Sequence, residues 1–163
     1  MNPVGALLRA EDILLDVDVT SRGSLLERVA AVLGERAHVS AAQVLAGLIA
    51  REELGSTALG HGVAIPHARM PQCSVVAGAF VRTRLAIPFG APDLKPVSLF
   101  LGLLVPKQAT ERHLQLLATA ANMFGDRAFR DALRTCPDAV SAQELFAAWP
   151  AEQAQAQGTV VRP

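Results

Sequence analysis

The chain has 163 residues, 51% hydrophobic and 18% charged, with Lys+Arg and Asp+Glu balanced at 15 each. That composition is enough for one ordinary globular domain, rules out disorder by composition, and offers no basic excess of the kind nucleic-acid binding needs. Aromatic residues make up only 4% and tyrosine is absent, so a core of Leu, Val, Ile and Ala is expected.

The N-terminal stretch MNPVGALLRAEDILL has no basic leader region, and Arg9, Glu11 and Asp12 break its apolar run, so it does not read as a signal peptide. The longest apolar run, Val97 to Val105, is far short of a membrane span. Cys73 and Cys136 match no metal or redox spacing. Together these predict a cytoplasmic protein without a membrane span. Residues 1–7 are set apart as an N-terminal arm, 8–150 as the domain and 151–163 as a disordered polar tail.

Residues 13–19 alternate apolar and polar, which predicts a half-buried strand. Ser24 with Glu27 has capping-box spacing before a helical stripe of Leu25, Val29, Val32 and Leu33, with Gly34 as the expected stop. Ser40 with Gln43 opens a second helix, whose stripe is Val44, Leu45, Leu48 and Ile49 and whose last turn holds Arg51 before Gly55. A Gly-rich passage, GSTALGHGVAIPHAR, then reads as loop with a short strand at 63–65. Residues 75–83 predict another strand. PVSLFLGLLVP predicts a central strand buried on both faces.

Thr110 is the expected cap of a third helix with Leu114, Leu117, Ala118, Ala121 and either Phe124 or Gly125 inward. Asp126 caps a fourth. Ser141 with Glu144 boxes a last helix through Trp149. Interleaved strands and helices predict an α/β single-domain sandwich, a mixed sheet flanked by helices.

The chemistry concentrates in GHGVAIPHAR, residues 60–69. Its two histidines, His61 and His67, have five residues between them, with Pro66 intervening and no carboxylate from Gly55 to Gln72, which is poor metal-ligand spacing. No nucleophile-elbow pattern surrounds Ser56. A histidine nucleophile for phosphoryl transfer fits better. Imidazole is largely neutral at neutral pH, and the transferred group wants N–H donors and cations around it. Arg51 offers a forked cation. Ser56, Thr57, Gly60 and Gly62 are the candidate phosphate-loop residues, because glycines let backbone amides approach an anion. His113, near the start of the third helix and placed by the Thr110 cap in its exposed first turn, could stabilise phosphate. The residues alone leave this beside plainer readings: His67 as a hydrogen-bonded loop residue, His113 as a solvated one, Arg51 as a partner for its own helix dipole, and Ser56 and Thr57 as turn formers.

The stretch REELGSTALGHGVAIPHAR, with IPFGAPDLKPVSLFLGLLVP and TERHLQLLATAANMFGDRAFRDALR, resembles enzyme IIA of the phosphotransferase system. The similarity is greatest to its nitrogen-regulatory branch, next to the fructose/mannitol branch. The resemblance spans roughly residues 8–149. It implies His67 as phosphoryl acceptor, with His113 and Arg51 as stabilisers, and leaves His61 without an inherited role. It implies an HPr-like phosphocarrier as donor, no cofactor and no metal. Regulated partners such as potassium-transport or sensor-kinase components are implied too. A sugar-specific IIA feeding a IIB domain, and a binding module without phosphotransfer, are the alternatives. Ala58 and Ala68 stand where the family more often has glycine, which bears on the loop's conformation and not on the acceptor.

Overall fold

The structure is a computed structural model that describes residues 1–150. Its elements are α1 (Pro3–Leu7), a single 3-10 turn (Ala10–Asp12), β1 (Ile13–Val17), α2 (Arg22–Ala37), α3 (Ala41–Glu53), β2 (Ala58–Gly60), β3 (Val63–Ala64), β4 (His67–Met70), β5 (Ala77–Ile87), β6 (Val97–Pro106), α4 (Thr110–Gly125), α5 (Arg127–Thr135) and α6 (Ala139–Ala148). The six strands form one mixed sheet in the order β1-β5-β6-β3-β2, with β4 also on β6.

β6 is the central strand, as its apolar run predicts. Leu99, Leu101, Leu103 and Val105 enter the core under α4, α5 and α6. Phe100 and Leu104 enter the core under α2 and α3. Gly102 faces this second layer, where a Cβ would stand 2.4 Å from Val29 Cγ1, so the missing side chain lets α2 lie close on the sheet. Helices therefore cover both faces.

One edge of β6 is antiparallel to β5. The other is parallel to two short strands in succession: β3 opposite Leu99 and Phe100, then β4 from Leu103 onward. Ile65 and Pro66 interrupt them. Pro66 has no N–H to give a ladder, but its carbonyl still accepts from Leu103 N at 3.0 Å, so the register carries through.

Several local expectations shift. The cap of α2 is Ser21, paired with Ser24, and the helix runs past Gly34 to a left-handed His38. Gly34 instead gives room to Val39 O, which a Cβ would meet at 2.7 Å. Ser40 precedes α3 without a side-chain capping bond. Asp138, not Ser141, caps α6 by accepting from Ser141 N at 2.7 Å. Asp126 caps α5 as expected. The first seven residues, set apart in the sequence as an arm, include α1. Fully buried Asn2 caps α1 and donates to Phe146 O at 2.8 Å and Trp149 O at 3.1 Å, tying the N-terminus to the end of α6. The tail predicted at 151–163 lies outside the described residues.

Candidate functional site

Sequence reasoning left His67 in a loop. It is the first residue of β4, paired opposite Leu103. Alternation along β4 sends Ala68 and Met70 into the α2–α3 core and leaves His67 and Arg69 on the other side. Above this edge, the end of α3 and the start of α4 leave a cleft of about 470 Å³. His67, Arg69, Arg51, Thr110 and His113 line it, with Leu54 and Leu114 at hand.

Each wall has a local cause. α3 closes on β4 at Gly47, where a Cβ would come within 3.2 Å of the Ala68 methyl. One turn later on the same face stands Arg51. Its Nη1 donates to Gly55 O at 2.8 Å, satisfying a carbonyl just past the helix end while the guanidinium borders the cleft. Buried Glu52 accepts from Thr57 N at 3.2 Å and from the Thr57 hydroxyl, which fastens the turn after α3. Ala58 and Ala68, where glycine was expected, both sit in strands. Ala58 pairs with Ala64 in β2 without a positive φ, and buried Ala68 packs on Gly47.

His67 Nδ1 lies 2.8 Å from Ile65 O. A carbonyl oxygen only accepts, so Nδ1 carries the proton in this contact. The neutral ring then has its lone pair on Nε2. Burial pushes the His67 pKa below the usual histidine value; the Ile65 bond opposes this and the Arg51 charge adds to it. The neutral ring is thus the resting form at neutral pH.

His113 was expected in the exposed first turn of α4, behind a Thr110 cap. The structure corrects this. Ala109 is the N-cap, Thr110 is already helical, and His113 is 8% exposed, with its N–H bonded to Ala109 O at 2.9 Å. The inward face is His113, Leu116, Ala120, Met123 and Phe124, whereas Leu114, predicted inward, is exposed. The rings of His67 and His113 stand 5.1 Å apart at an interplanar angle of 57°. His113 Nδ1 is buried with no hydrogen-bond partner among the described residues. Burial first, then the positive potential of His67, Arg69 and Arg51, lowers its pKa to about 4. A buried ring nitrogen without a partner, beside two arginines, suits an anion.

Arg69 was not among the predicted site residues. Its Nη1 donates to the Thr110 hydroxyl at 3.1 Å, so Thr110 positions an arginine where a capping role was expected. The spacing His67-x-Arg69, which places both side chains on one face of a strand, was the available signal.

The four phosphate-loop candidates do not join this cleft. The Ser56 hydroxyl donates to Phe89 O at 2.6 Å, and Thr57 serves Glu52. Gly60 and Gly62 have φ of +93° and +76° and shape the β2–β3 turn, which lies beside Asp93 and Arg134. His61, in the same turn, is likewise away from His67.

Both histidines bind a proton more readily in the unfolded chain, so unfolding takes up protons below about pH 6.5. Their contribution is intact above that pH and is lost as pH falls toward the His113 value of about 4. Urea unfolding from pH 7 to 4 should therefore show a steeper loss of stability in the wild type than in His113→Gln. Parallel curves would remove His113 as the cause.

Residues 6–149 match the family described as phosphoenolpyruvate-dependent sugar phosphotransferase system, EIIA 2. The chain belongs to this family. Among its enzyme IIA relatives, a nitrogen regulatory protein of Pseudomonas aeruginosa is 36% identical over 146 residues, covering 85% of this chain and 95% of its own length. The crystal structure of nitrogen regulatory protein IIA-Ntr from Neisseria meningitidis superposes with a TM-score of 0.85 at 42% identity, covering 88% of this chain and 98% of that one. The mannitol IIA of Escherichia coli, at 21% identity and a TM-score of 0.74 over 86% of this chain and 99% of that one, shares the fold. The expected enzyme IIA fold and the nitrogen-regulatory resemblance are both met. No helix among the described residues is long and apolar enough to cross a membrane.

Proposed function

We propose that this enzyme IIA accepts a phosphoryl group on Nε2 of His67 from an HPr-like phosphohistidine donor, and that the phosphorylated and free forms differ in their contacts with regulated proteins in the cytoplasm. The contact between His67 Nδ1 and Ile65 O carries the reading, because it leaves Nε2 unprotonated in a cleft with two arginines.

In the reaction the Nε2 lone pair attacks phosphorus. The donor's P–N bond breaks, and its electron pair returns to the donor imidazole. The Nδ1 proton stays on the Ile65 contact, and the carbonyl dipole stabilises the positive charge the ring gains. Arg51 and Arg69 face the phosphoryl oxygens, and His113 supplies a ring N–H to them. Preorganised donors of this kind lower the barrier without reorganising water. Phosphoryl transfer between two histidines calls on positioning and charge, not on a metal.

Incubation with phosphoenolpyruvate, enzyme I and an HPr-like carrier should add one phosphate-sized mass increment, lost on brief acid treatment. A protein that stays at its unmodified mass under conditions that phosphorylate the carrier would instead indicate a binding module. Replacing His113 with Gln should slow transfer by about 100-fold, the usual cost of losing one such donor. Wild-type rates in stopped mixing with phosphorylated carrier would remove the role given to His113.

A further inference from the structure

A second cationic cleft lies at the far end of α4. Its volume is about 460 Å³, and its lining includes Lys95, Arg127, Arg130 and Arg134 against the single carboxylate of Asp131. α4 is 16 residues long, about 24 Å at 1.5 Å per residue. His113 sits near its start, and Arg130 Nη1 donates to Phe124 O, one residue from its end, at 2.9 Å. The two clefts are therefore separate.

The charges here are not satisfied internally. Asp131 is shared between Arg127 Nε at 3.6 Å and Arg134 Nη1 at 3.5 Å. Lys95 has no carboxylate partner within ion-pair distance among the described residues. Arg130 is 8% exposed, and its Nε is buried without a hydrogen-bond partner. The chain does satisfy a buried arginine elsewhere. Arg82, equally buried, meets Asp16 and the carbonyls of Leu133 and Cys136. A buried guanidinium without a carboxylate is costly unless an anion completes it.

The frame is also fixed in advance. Asp93 accepts from His61 N at 2.9 Å and Lys95 N at 3.1 Å. Arg134 donates to His61 O, and Gly62 beside it has a φ of +76°, a backbone conformation that favours glycine.

The geometry points to a second anion site that takes a small, multiply charged phosphate compound. Pyrophosphate titrated at constant ionic strength into the full chain labelled with 15N is the test. The amides of Gly62, Lys95 and Ser98 should shift and saturate. Lys95→Gln with Arg127→Gln, two exposed changes that leave the Arg130 contact intact, should weaken that binding by about tenfold or more. Arg51→Gln should leave it unchanged, which separates this site from the His67 cleft whether or not His67 accepts phosphate. Shifts that do not saturate, an unchanged affinity in the double variant, or a loss in Arg51→Gln would each overturn the assignment.

Discussion

His67→Ala should take up no phosphoryl group from a phosphorylated HPr-like carrier, while wild type does so to near one equivalent. No other side chain in the cleft can substitute. His113 is the only other imidazole there, and its backbone is fixed in the fourth position of a helix, with the ring buried at 8% exposure. The arginines are not nucleophiles at neutral pH. The fold should survive, because the side chain is half-buried on a strand held by backbone pairing to β6 and makes one hydrogen bond. A loss of about 1 kcal/mol is expected from that bond. Acid-labile labelling of the variant at the wild-type level would place the acceptor elsewhere. A variant that fails to unfold cooperatively would make the loss uninformative, so urea unfolding belongs beside the assay.

Arg82→Met should produce the largest loss of stability, about 2–4 kcal/mol, because the buried carbonyls of Leu133 and Cys136 lose their donor. Arg82 lies on β5, opposite Leu99, and is 8% exposed. Its Nη2 and Nε grip Asp16 at 3.0–3.1 Å, and Nη1 donates to Leu133 O at 2.9 Å and Cys136 O at 2.8 Å. It thus serves the free carbonyls at the end of α5 and pins that helix to the sheet. Methionine fills similar volume but leaves those acceptors buried and Asp16, at a φ of +54°, without its partner. The midpoint of urea unfolding measures this. A shift equivalent to less than about 1 kcal/mol, the value of a surface ion pair, would mean that the network contributes little.

His67 stood out by its place after Pro66, but the residues alone left it beside a plain loop histidine, and the resemblance to enzyme IIA made it the candidate acceptor. The contact that sets its tautomer is local, with Ile65 O two residues back. Helix phase placed Arg51 in the last turn of α3, and the resemblance singled it out for the site; it does line the cleft. The burial of His113 was not legible. It follows from packing across the chain: β4 places the His67 ring against α4, whose inward face is His113, Leu116, Ala120 and Met123. The glycines misled because Gly60 and Gly62 serve a tight turn between β2 and β3, just before Val63, whose partner on β6 is four positions ahead of that of His67. Their backbone freedom is spent on φ, not on an anion in that cleft. Arg82 carried no sequence signal, since its partners lie 51 to 66 positions away. The overall sandwich was readable from the period of β6 and the helix stripes, because burial on both faces leaves a continuous apolar run that nothing local imitates.

Phosphorylation of His67 is expected at Nε2, opposite a protonated Nδ1. Histidine labelled with 15N in both ring positions, followed through phosphorylation by the HPr-like carrier, measures this directly. The expected result is 31P–15N coupling to Nε2 of His67 and an Nδ1 that keeps its proton, with the His113 ring titrating well above the value of about 4 it has without phosphate. Coupling to Nδ1 of His67, or to either nitrogen of His113, would contradict it.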